Sequence, residues 1–86
     1  MDHDTALEII RAAVGRARRE PTTVAADADL IADDVLDSLD AMTFTLEVEE
    51  ATGVTFPEDE DLAALGLYHV PTLIEFIRTN ATAAAA

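Results

Sequence analysis

The chain has 86 residues, with 18 acidic side chains against five arginines, no lysine and a formal net charge of −13. This length accommodates one domain, and a chain without cysteine excludes disulfide scaffolds, thiolate metal sites and cysteine nucleophiles. The charge predicts that nucleic acids and anionic membranes are repelled, so basic proteins are the expected partners. The acidic start over residues 1–4 and the lack of a long apolar run predict no signal peptide and no membrane span. We therefore expect a cytoplasmic protein.

The first predicted helix covers residues 5–19. Apolar residues recur there at helical spacing, acids precede the helix, arginines crowd its end, and Pro21 stops it. Between residues 22 and 36 the apolar positions lose their period. This predicts a long ordered loop held by scattered apolar anchors, with one turn of helix around residues 30–35.

Three more helices are predicted after this loop. The second begins at Asp37 or Ser38 and ends at about Thr52, before a glycine. A short third helix is predicted over residues 58–65, where four acids stand at the start. The last helix begins at Pro71, a favourable residue for the first turn.

The sum of these elements is an all-α protein. No strand-like alternation interrupts the helical segments. We predict a four-helix bundle with a long loop between helices 1 and 2 and a short third helix. The domain should cover residues 1–80, and residues 81–86 should form a flexible alanine-rich tail.

The second predicted helix has two apolar faces when residues 38–52 are wound at about 100° per residue. One face contains Ala41, Phe44, Val48 and Ala51, and the other contains Leu39, Met42 and Leu46. A single face is enough to dock a helix on a bundle. The second face is therefore either covered by the preceding loop or exposed as a binding surface with acids at its rim. The periodicity leaves both alternatives open.

The start of this helix carries the sequence Asp37-Ser38-Leu39-Asp40. The run resembles the modification motif of acyl carrier proteins. The resemblance covers roughly residues 6–79, in which the predicted helices, the long loop and the link Gly53-Val54-Thr55-Phe56-Pro57 follow the order of that family. It implies the four-helix fold of acyl carriers.

The resemblance implies a carrier and not an enzyme. In the family, the serine that matches Ser38 accepts phosphopantetheine from coenzyme A through a Mg-dependent phosphopantetheinyl transferase, and the thiol of this arm then holds an acyl group as a thioester. Asp37, Leu39 and Asp40 would belong to the motif that the transferase recognises. The chain would have no catalytic residue and no metal of its own, and we expect it to be a monomer.

If the second apolar face is exposed, it predicts a docking surface on the second helix. Acyl-loading and acyl-processing enzymes with basic surfaces would bind it through Met42, Leu46, Glu49 and Glu50. These apolar residues, together with Leu39, would anchor the enzymes, while the acids, together with Asp37 and Asp40, would steer them into place.

The identity of the pathway stays open. Thr43, Thr45 and Thr52 depart from the fatty-acid-synthase type, and the stretch Leu65–Val70 is longer than usual. These departures favour a discrete carrier of a polyketide or hybrid pathway over the primary fatty-acid system. One alternative is an aminoacyl or peptidyl carrier of a nonribosomal pathway, although the glycine-rich segment that usually precedes its serine is missing. A more remote alternative is an unmodified acidic helical adaptor.

Two other chemistries are disfavoured. A serine hydrolase would need a base near Ser38, and only His3 and His69 are available, without a G-x-S-x-G turn around the serine. Asp27 begins a stretch similar to a calcium-binding loop, but the sixth residue is Ala32 instead of glycine and the twelfth is serine instead of glutamate.

Overall fold

The computed structural model describes residues 2–57 and 59–81. It contains three α-helices, which are α1 (His3–Arg18), α2 (Ser38–Thr52) and α3 (Val70–Asn80). These described residues form no strand, and the predicted all-α class is confirmed. None of the three helices is both long and apolar enough to cross a membrane. The predicted tail falls almost wholly on residues 82–86, which lie outside the described ranges.

The short third helix predicted over residues 58–65 is replaced by turns in the part of the segment that the structure describes. The Leu65 N–H donates to the Asp61 carbonyl oxygen at 3.1 Å, and Gly66 then reverses the chain with a φ of 74°. Only one helical turn fits between Asp61 and Gly66, and the hydrogen bonding of a single turn does not offset the conformational entropy lost when it forms. The described residues therefore form three helices, and the predicted four-helix bundle is not confirmed.

The ends of α1 follow from local hydrogen bonds. The Asp2 carboxylate accepts a hydrogen bond from the Thr5 N–H at 2.7 Å, which caps the helix. Hydrogen bonding by the Thr5 side chain, and then by the Thr5 N–H, lowers the pKa of Asp2 below its ordinary value. Arg19 ends the helix in the left-handed region, with a φ of 59°, and its N–H donates to the Arg16 carbonyl oxygen.

The core lies between the three helices and is completed by the connection between α1 and α2. The largest fully buried side chains are Phe44, Ile10, Leu30, Leu73, Ile74, Ile77, Val14, Val48 and Val70. Leu30 belongs to the connection, and its N–H donates to the Tyr68 carbonyl oxygen at 2.8 Å. The Val70 N–H donates to the Ala28 carbonyl oxygen at 2.8 Å. These two bonds fasten the connection to the start of α3.

Thr52 is a buried polar residue at the end of α2. Its hydroxyl donates to the Val48 carbonyl oxygen at 2.7 Å and accepts from the Val54 N–H at 3.3 Å. We expect Thr52→Val to lower the free energy of unfolding by about 1 kcal/mol, because valine keeps the shape but leaves the Val54 N–H unpaired. Urea denaturation measures this change. An equal or higher stability would show that the two hydrogen bonds do not hold the end of α2.

The excess of acids should make stability depend on salt. In the described residues, four arginines pair with one acid each, as Arg11–Glu8, Arg16–Glu47, Arg18–Glu20 and Arg78–Glu75. Most of the 18 acids therefore repel one another without compensation. We expect the thermal midpoint, followed by circular dichroism, to rise between low salt and about 0.15 M salt. A flat or falling midpoint would contradict this.

Candidate attachment and docking site

Ser38 is the first residue of α2 and is exposed to solvent. The cap of this helix is supplied by Asp37, whose Oδ1 accepts a hydrogen bond from the Asp40 N–H at 2.8 Å. Ser38 is therefore not the residue that caps α2. Its hydroxyl stands at the surface and is available for chemistry.

The surroundings of Ser38 fit a covalently attached phosphodiester. The first N–H groups of a helix have no partner within it, and the helix dipole places partial positive charge at this end. Ser38 and Leu39 contribute such N–H groups, whereas the N–H groups of Asp40 and Ala41 are bound by Asp37. An anion on the Ser38 oxygen would lie beside these donors.

The second apolar face of α2 is exposed. Leu39, Met42 and Leu46 are 75%, 66% and 63% exposed, respectively. The alternative in which the preceding connection covers them is wrong, because that connection packs against the start of α3 through main-chain bonds. We refer to Leu39, Met42 and Leu46 as the exposed apolar face.

The buried face of α2 differs from the prediction at one position. Ala41, Phe44 and Val48 are buried as expected, but Ala51 is exposed and Thr52 is buried in its place. Because successive positions point about 100° apart, the burial of Thr52 turns Ala51 away from the core.

The exposed apolar face continues into a surface cleft of about 340 Å³. The cleft lies between α2 and the segment that follows it, and its lining residues are Met42, Thr45, Leu46, Glu49, Phe56, Pro57, Glu60 and Leu62. The lining is mixed, since five apolar residues stand beside Thr45, Glu49 and Glu60.

Glu49 and Glu50, two of the acids predicted to steer partners, have different surroundings. Glu50 is exposed, whereas Glu49 is half-buried and its Oε2 accepts a hydrogen bond from the Phe56 N–H at 2.8 Å. Glu47, which the sequence did not single out, pairs with Arg16 across the helices at 2.8 Å. Glu47 and Arg16 are 31 positions apart, and the bond from Phe56 to Glu49 spans seven residues across the end of α2, so no helical spacing indicates either contact.

The two histidines give no catalytic site with Ser38. His3 is exposed at the start of α1, and the His69 Nδ1 lies 3.1 Å from the Thr72 Oγ1 at the start of α3. Neither imidazole hydrogen-bonds to Ser38 in the part of the chain that the structure describes. No group of three metal-ligating side chains occurs among residues 2–57 and 59–81.

Comparison with protein families gives one finding. A family model described as a phosphopantetheine attachment site matches residues 4–78, which include α2 entirely and nearly all of α1 and α3. Searches of curated proteins and of solved structures find no significant match. Members of the matched family carry a phosphopantetheine prosthetic group, covalently attached. The chain belongs to this family of phosphopantetheine-bearing carrier domains.

Proposed function

We propose that this protein is an acyl carrier that holds acyl groups as thioesters on a phosphopantetheine arm attached to Ser38. It would carry them between enzymes of a polyketide, hybrid or fatty-acid-like pathway. The observation that carries the proposal is an exposed serine at the first position of α2, in a helix whose cap is supplied by the neighbouring Asp37. The thiol and its reactivity come from the bound arm.

Ser38 would act as the nucleophile when the arm is attached. Its oxygen attacks the phosphorus on the pantetheine side of the diphosphate bridge of coenzyme A and forms a phosphodiester. The P–O bond of the bridge breaks, and adenosine 3′,5′-bisphosphate leaves, with the other bridge phosphate as its 5′-phosphate. Since neither imidazole hydrogen-bonds to Ser38 among the described residues, the base that accepts the hydroxyl proton would belong to the phosphopantetheinyl transferase. The carrier supplies an accessible oxygen and a helix end that favours the resulting anion.

The exposed apolar face would be the docking surface for the transferase and for acyl-loading and acyl-processing enzymes. Met42 and Leu46 border the cleft and would anchor an apolar side chain of the partner. Asp40 and Glu50 would steer basic partners, because neither carboxylate has an ion-pair partner among the described residues.

We propose a monomer that acts in the cytoplasm, and the charge of the protein supports the monomeric state. Two copies would each bring a net charge of −13 to a shared interface, and this repulsion opposes self-association. An enzyme with a basic docking surface is not repelled by this negative charge. We therefore propose transient complexes with other proteins in place of a stable dimer.

The proposal is tested by loading. The purified protein is incubated with a broad-specificity phosphopantetheinyl transferase and either coenzyme A or an acyl-coenzyme A, and its intact mass is measured. We expect one arm from coenzyme A, and one arm with its acyl group from the acyl-coenzyme A. An unmodified adaptor would gain no mass with either donor, and this result would contradict the proposal.

A further inference from the structure

The Glu49 carboxylate is bound to the main chain of the segment after α2. Its Oε2 accepts a hydrogen bond from the N–H of Phe56, seven residues later, at 2.8 Å. Residues 53–57 have no regular secondary structure, so the Phe56 N–H has no helical carbonyl oxygen to bind. The glutamate therefore satisfies a donor that the fold would otherwise leave unpaired.

This hydrogen bond holds a buried aromatic residue in place. Phe56 is 5% exposed, and its ring stacks on Phe76 of α3 with the centroids 5.3 Å apart and the planes inclined by 13°. Two residues earlier, the Val54 N–H is held by the Thr52 hydroxyl. The segment is thus tied to α2 at two amides, one of them through Glu49.

The same residues form the cleft beside the exposed apolar face. Glu49 and Phe56 line the cleft together with Met42 and Leu46. Met42 and Leu46 project from α2, while Phe56 lies in the segment after it. Without the Glu49 hydrogen bond, the segment over residues 53–57 could move away from α2, and the width of the cleft would change.

We propose that Glu49 is a positioning residue, which shapes the docking cleft by binding the Phe56 main chain instead of steering partners by its charge. The inference rests on the proposed docking function of the exposed apolar face. It revises the steering role that the sequence suggested for Glu49 and leaves that role to the exposed Glu50. The two adjacent glutamates therefore provide a matched comparison.

Four variants separate positioning from charge, namely Glu49→Gln, Glu49→Ala, Glu50→Gln and Glu50→Ala. Glutamine removes the charge but keeps an oxygen that accepts a hydrogen bond, whereas alanine removes both. The first measurement is the KM and kcat of phosphopantetheinyl transfer from coenzyme A by a broad-specificity transferase, over a salt series. The second is hydrogen exchange of the Phe56 amide, measured by NMR on the same unmodified proteins.

We expect Glu49→Ala to raise the KM for the carrier by about fivefold, with kcat little changed, and to speed exchange of the Phe56 amide by about tenfold. Glu49→Gln should stay within about twofold of wild type in both measurements. Both Glu50 variants should raise KM equally at low salt, and this effect should fade as salt rises.

Two results would overturn the proposal. In the first, Glu49→Gln raises KM as much as Glu49→Ala while the Phe56 amide stays protected, which would make Glu49 a steering charge. In the second, Glu49→Ala changes only one of the two measurements, so that the hydrogen bond and docking are unconnected. Failure of the proposed carrier function is visible separately, since the wild-type protein would then gain no mass with the transferase.

Discussion

Ser38→Ala is expected to abolish attachment of phosphopantetheine without unfolding the protein. The substitution removes the only hydroxyl of the D-S-L-D motif. The helix should persist, because Asp37 supplies the cap and Ser38 is exposed, so the free energy of unfolding should change by less than about 0.5 kcal/mol. Intact mass after incubation with transferase and coenzyme A measures attachment, and the thermal midpoint measures stability.

The control for this variant is Thr43→Ala, which removes another exposed hydroxyl from the same helix. We expect Thr43→Ala to be modified as completely as the wild-type protein. Modification of Ser38→Ala by the same transferase would place the attachment site elsewhere and contradict the assignment. Loss of modification in both variants would also contradict it, because the hydroxyl of Ser38 would then not be the specific requirement.

Met42→Ala is expected to weaken docking by about 1 kcal/mol or more, because a central apolar side chain contributes more to binding than charges at the rim. Met42 is 66% exposed and borders the cleft, so the truncation removes contact with a partner and almost no contact with the core. The readout is kcat/KM for phosphopantetheinyl transfer across a salt series. We expect a decrease of about fivefold that persists at high salt.

Two charge variants complete this experiment. Glu50→Gln should reduce the association rate at low salt only, because it removes an exposed steering charge. Glu8 belongs to α1 and forms an exposed ion pair with Arg11 at 3.6 Å. Glu8→Gln should therefore change kcat/KM for phosphopantetheinyl transfer very little. If Glu8→Gln were the most damaging of the three variants, the docking surface would lie on α1 and not on α2.

Local signals were sufficient for the helices that have clear ends. The predicted first helix, residues 5–19, agrees with α1 to within two residues, and the second agrees with α2 almost completely. Caps and helical periods act over a few residues, so the sequence contains this information. The predicted third helix had similar end signals, but the interval from Asp61 to Gly66 admits only one turn.

The docking region depends on contacts that no local pattern encodes. The sequence indicated two apolar faces on α2, but the exposure of Met42 follows from where the preceding connection packs, through Ala28 and Leu30. The bond between Glu49 and Phe56 likewise requires the chain to turn back after Gly53. Adjacent glutamates that look equivalent in the sequence therefore have different surroundings in the fold.

The central claim is that the protein carries its thiol on an arm attached to Ser38, and a thiol titration tests it most directly. The chain contains no cysteine, so the unmodified protein has no thiol to react. After incubation with transferase and coenzyme A, and removal of free coenzyme A, we expect one reactive thiol per chain. Peptide mapping should locate it in the fragment that contains Ser38. A protein that remains without thiol, or that gains one on a fragment lacking Ser38, would contradict the account.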